Sequence, residues 1–228
     1  MENGESIHLP PVNYRSEENK FPAALRFPAH LVSFLFHPLF IPSWIMAFLV
    51  YKYPYAFAGM NEQLKLYRFL SIVFLTAFLP AFSIFLMKQL GFIQSIFLRT
   101  QRDRIIPYIV SMVFYFWAWY VSKNLHDAAP VTSMLLATFI GCIAGMMANI
   151  YFKISMHGIA VGALFVFFLW LAFNGTTPLG IYLAVATFIT GLVCTARFIV
   201  SDHNPFEIYV GLLTGIICQL VAIGIAAS

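Results

Sequence analysis

Charge is what this sequence has least of. Only 10% of its 228 residues are Asp, Glu, Lys or Arg, against roughly 25% in an ordinary soluble domain. That shortage excludes a soluble globular enzyme and a disordered chain, both of which need charge to stay solvated. Cysteine is scarce as well. Cys142, Cys194 and Cys218 lie far apart, each inside an apolar run, so neither a zinc or redox pair nor a disulfide-stapled secreted domain fits. They read as buried thiols. Basic residues exceed acidic ones by only 13 to 9 and are scattered, too thin a surplus for a nucleic-acid groove.

Apolar bulk takes the place of charge. Hydrophobic residues make up 61% and aromatics 18%, with 25 Phe, and the mean hydropathy is +0.84. The uncharged runs are 31–51, 69–87, 105–122, 128–152, 158–173, 179–196 and 208–228. A spanning helix needs about 20 apolar residues, usually about 17–25. Six runs reach that length. The shorter 158–173 ends at the breaker Asn174-Gly175-Thr176-Thr177-Pro178. Lipid offers no partner to an open backbone, so each span is helical. The expected fold is all-α: a polytopic integral membrane bundle of six to seven transmembrane helices. Runs 105–122 and 128–152, joined by only 123–127, form a hairpin that crosses fully or in part. Residues 1–29 read as a polar tail without the layout of a cleaved signal peptide, with 21–27 at the membrane surface. Residues 30–228 read as one membrane domain. Gly141-x-x-x-Gly145, Gly158-x-x-x-Gly162 and Gly211-x-x-x-Gly215 place small residues four apart, which lets helices approach closely. The fourth, fifth and seventh spans are thus expected at the tight centre.

If all seven runs cross, the tail and three alternate joints share one membrane face. Those joints hold the chemistry: Arg99, Arg102, Asp103 and Arg104 before Pro107; Lys153, Ser155 and His157; Arg197, Asp202, His203, Asn204 and Glu207. The opposite joints hold little beyond Lys52, Glu62, Lys65, Arg68, Lys123, His126 and Asp127. Forty residues from His157 to Arg197 suit one crossing out and one back. His157, Arg197 and His203 are therefore expected to meet at an anion pocket.

The last joint supports two readings. Pro205 belongs in a first helical turn. His203 and Glu207 are four apart, so a carboxylate can fix the imidazole tautomer and stabilise charge on it. Alternatively, Asn204 caps the helix and Glu207 closes a capping box.

Arg197-x5-His203-x3-Glu207 resembles the third motif of the type 2 phosphatidic acid phosphatase superfamily, which is Ser-Arg, five residues, His, three residues, Asp. Ala196 stands for Ser and Glu207 for Asp. Ser155-Met156-His157 resembles its Ser-Gly-His motif, with Met for Gly. Its Lys-x6-Arg-Pro motif is matched by Arg99 and Pro107, with Ile106 at the Arg position and Arg102 and Arg104 a turn earlier. The resemblance covers about 88–220, and residues 1–60 carry none. It implies a membrane lipid-phosphate phosphatase fold and a lipid phosphate substrate, with no metal or other cofactor. By resemblance His203 is the nucleophile, His157 the general acid and Glu207 the orienting group. Arg197, Arg99, Arg102, Arg104 and Ser155 bind phosphate, since guanidinium forks match phosphoryl oxygens.

Plainer readings stand beside these. Arginines at a helix end bind lipid headgroups, Lys153 snorkels to the interface, and His30 and His37, seven apart, read as packing or interfacial histidines rather than a metal pair. The rival functions are a non-catalytic binder or transporter of phosphorylated lipids, and a structural subunit. Lys and Arg number nine on the pocket side and four on the other. That tally favours a cytoplasmic pocket, but five of the nine belong to the pocket itself, so the side stays open. Oligomeric state is not legible.

Overall fold

The structure, a computed structural model, describes residues 21–93, 101–175, 177–200 and 203–227, the side chains of Arg102 and Ala227 excepted. All regular structure among them is helical: α1 Ala23–Leu35, α2 Ile41–Lys52, α3 Glu62–Val73, α4 Leu79–Gln89, α5 Gln101–Asn124, α6 Ala129–Tyr151, α7 Met156–Asn174, α8 Gly180–Val200 and α9 Pro205–Ala227. Helices α3 and α4 are one rod of 28 residues. Pro80, in the first turn of α4, has no N–H to give residue 76. The ladder widens there into a π turn over Phe74–Phe78, the usual accommodation of such a break. With that rod counted once, six helices are long and apolar enough to cross a membrane. By length and composition this is a multi-pass membrane protein, and α5 and α6 are both long enough for full crossings.

The run 31–51 is a correction. It is not one span but the end of α1, a turn, and α2. Pro38 cannot donate to the preceding turn, and the backbone instead closes tight turns from His37 N to Phe34 O and from Phe40 N to His37 O. Neither piece is long enough to span: α2 has 12 residues, about 18 Å at 1.5 Å each. The stretch still carries the chain from end to end. Ser33 O contacts His157 at the start of α7, while Tyr53 reaches Gly175 just past its end. The alternation of joints therefore survives the loss of one span. Helix α1 also begins at Ala23, inside the stretch that composition assigns to the tail. Residues 1–20 lie outside the described residues.

Helices α6, α7 and α9, the fourth, fifth and seventh runs, pack at the centre. Gly158 and Gly162 lie against the α9 backbone at Ile208 and Leu212, and Gly211 and Gly215 against the backbone at Ser155 and Ile159. A methyl group on Gly158 would sit 2.8 Å from the Ile208 carbonyl. This contact registers the start of α7 against the start of α9, and Ser155 N donates to Glu207 O at 3.2 Å.

At the opposite end Arg68 pairs with Asp127, and Ser122 Oγ donates to Asp127 Oδ2 at 2.6 Å. This ties α3 to the α5–α6 turn, where His126 takes a positive φ of 54°. Removing one partner of a mostly buried pair strands the other. Asp127→Ala is expected to cost about 3 kcal/mol, and Arg68→Ala/Asp127→Ala less than the sum of the singles. Thermal unfolding in detergent reads both.

Candidate functional site

Three joints converge where α7 and α9 begin. From α5, Gln101 and Asn149 exchange side-chain-to-backbone bonds of 2.9 Å in each direction, and Arg104 Nη1 donates to Ile154 O at 3.2 Å. The first cationic joint is thereby fastened to the second. The α7–α9 glycine contact brings the second to the third. The result is a cavity of about 530 Å³ with Arg104, His157, Arg197 and His203 in its wall. Arg99 lies outside the described residues, and nothing is described of the Arg102 side chain.

His203 is held by Glu207. Its Nδ1 lies 2.9 Å from Glu207 Oε2. The same oxygen accepts from Asn204 N at 3.2 Å, while Asn204 Oδ1 accepts from Glu207 N at 2.9 Å. The two sequence readings of this joint are both present: a complete capping box whose carboxylate also orients the imidazole. A carboxylate accepts, so Nδ1 carries the proton.

His157 is oriented from elsewhere. Its Nε2 is 3.0 Å from the Ser33 carbonyl of α1. A carbonyl only accepts, so Nε2 carries the proton and the lone pair of the neutral ring sits on Nδ1. Ser155, fully buried, is the N-cap of α7, with Oγ accepting from Gly158 N at 3.3 Å. It is not among the residues lining the cavity.

Of the cavity histidines outside the membrane-spanning segments, His37 and His203 are held neutral by their surroundings. Burial first, then the Arg197 guanidinium, draws His37 down to about 4. Burial first, then Arg197, Arg104 and Lys153, draws His203 down to about 3, against a hydrogen bond to the Lys153 backbone. Both are neutral near pH 7. In the unfolded chain they take up a proton near 6.5, so unfolding binds protons below that pH. Their contribution is therefore complete above about 6.5 and lost as pH falls toward 4 and 3. The expected result is a Tm in detergent that drops on acidification through this range, and drops less in His37→Phe. A flat profile in both proteins would contradict it.

Part of the wall was not anticipated. His30, Ser33 and His37 of the first helical segment line the cavity, as do Tyr108, Ser111 and Tyr115 of α5. Each set follows the sequence spacing i, i+3, i+7, a polar stripe in an otherwise apolar run, on one helix face for α5 and continuing from α1 into the turn after it for His37. That periodicity is visible in the sequence and marks a wall facing a cavity rather than lipid. Among the described residues, no three His, Cys, Asp or Glu side chains are placed to hold a metal ion.

No protein-family model, curated protein or solved structure matches this chain.

Proposed function

We propose that the chain is a membrane phosphatase that hydrolyses a lipid phosphomonoester or pyrophosphate through a phosphohistidine, as its resemblance to the type 2 phosphatidic acid phosphatases implies. The observation that carries this reading is the shared cavity. Arg104, His157, Arg197 and His203 come from three separate joints and line one space, and His203 is bonded to a carboxylate.

Phosphoryl transfer depends on positioning and charge neutralisation, and the two guanidiniums supply both. With its Nδ1–H donated to Glu207, neutral His203 attacks phosphorus with the lone pair on Nε2, forming the new N–P bond. The bond from phosphorus to the lipid oxygen breaks. His157, protonated at Nδ1 once the anion is bound, gives that proton to the leaving oxygen. Water then attacks phosphorus, His157 Nδ1 takes its proton, and the N–P bond breaks to release phosphate. The test is phosphate release from lipid phosphates by purified protein in detergent with a chelator present. Wild type is expected to turn over and His203→Ala is not. Equal release from the two removes this mechanism.

A second reading has its own support. Ser155 is engaged in a helix cap, His203 in a backbone bond, and Ile106 stands where the motif has arginine. These favour a binder or transporter of phosphorylated lipids. Phosphate-dependent lipid binding without turnover by wild type would select it.

A further inference from the structure

The geometry points to the Ser33–His37 segment as a fourth wall of the oxyanion site, with His37 Nε2–H a direct donor to the bound phosphoryl group. This rests on the cavity being a phosphate site, and it adds a residue from a part of the chain that carries no resemblance to the phosphatases.

His37 sits in the turn after α1, on the cavity wall with Arg197 and His157. Its ring meets that of His157 edge-on, with centroids 5.3 Å apart, and also packs edge-on against Phe40 at 6.2 Å. Leu39 N donates to His37 Nδ1 at 3.3 Å. A backbone N–H can only donate, so Nδ1 carries the lone pair and the ring proton is on Nε2. No described group accepts from Nε2, and it is not one of the buried atoms left without a partner. It therefore opens on the cavity. A neutral imidazole locked as an Nε2 donor, near Arg197 and in a wall that also carries Arg104, is a hydrogen-bond donor for an oxyanion rather than an acid. The neutral state matters: a donor that keeps its proton near pH 7 can stay bonded to phosphate throughout the reaction.

The same short segment also fixes the other histidine. The Ser33 carbonyl holds the His157 Nε2 proton, and four residues later His37 presents its own. Ser33 Oγ is buried and has no hydrogen-bond partner among the described residues, a second polar group in the same wall.

The experiment measures binding of orthovanadate and of inorganic phosphate to purified full-length protein in detergent, beside turnover of a lipid phosphate. His37→Phe keeps the ring and its edge contact with Phe40 but has no donor. Losing one hydrogen bond to a charged ligand is expected to weaken binding by about tenfold or more. His37→Gln restores an N–H donor and is expected to recover most of the affinity. His37→Asn, whose donor is withdrawn, is expected to bind as poorly as the Phe variant and stands in for it should that variant not fold. Wild-type affinity in folded His37→Phe or His37→Asn overturns this assignment and leaves the phosphatase reading intact. A wild-type protein that binds neither oxyanion overturns both.

Discussion

Replacing Glu207 with Gln is expected to reduce phosphate release on the order of a hundredfold while costing only about 1 kcal/mol of stability. The two effects separate because one oxygen has two duties. Glu207 Oε2 accepts from Asn204 N, which closes the capping box, and from His203 Nδ1. The glutamine amide oxygen can still serve the cap. It no longer offers a charge to the imidazole, and its NH2 turned toward Nδ1 would favour the tautomer with the lone pair at Nδ1, where it cannot reach phosphorus. A capping role alone gives the opposite pattern: a slightly lower Tm with turnover unchanged. Unchanged turnover in folded Glu207→Gln would leave His203 as a structural residue of the α9 cap.

A large loss of both stability and activity is expected from Gly215→Ala. Its methyl group would overlap the Ile159 carbonyl, carbon and Cα together. The obstacle is backbone, so no side chain can move aside and α7 must part from α9. Overpacking of this kind costs about 1–3 kcal/mol, occasionally more. Activity is expected to fall further than stability alone explains, because the same contact sets Ser155 N on Glu207 O and hence His157 relative to His203. Gly224→Ala is the control. It lies on the same helix with open space around it, and its Tm is expected to match wild type. Equal Tm values for the two variants would contradict the close α7–α9 contact.

Much of this arrangement was legible in the chain. The small residues at 158, 162, 211 and 215 gave the central pair because close approach requires the absence of a side chain, and that is written in the residue type. The order of joints gave the convergence of Arg104, His157, Arg197 and His203, because alternating crossings leave few ends for polar groups to occupy. The break at Pro38 was harder to read. Hydropathy measures the length of an apolar run, not whether its backbone is continuous, and 31–51 is uncharged throughout. Ser155 illustrates a different limit. A serine before a helix suits both a cap and an anion site, and only the placement of Oγ against Gly158 N assigns it to the cap. From sequence, His37 reads as packing, because two histidines alone on an apolar run most often are. Its value shows only when the turn after α1 is seen folded onto the start of α7.

The central claim is that His203 becomes covalently phosphorylated within a cavity shared by distant joints. The direct measurement is to mix purified protein with a radiolabelled lipid phosphate, quench during turnover, and map the acid-labile, alkali-stable label on the chain. The label is expected on His203, lost in His203→Ala and retained in His157→Ala, where the first transfer is slowed rather than removed. Turnover that proceeds with no label on His203 would contradict it.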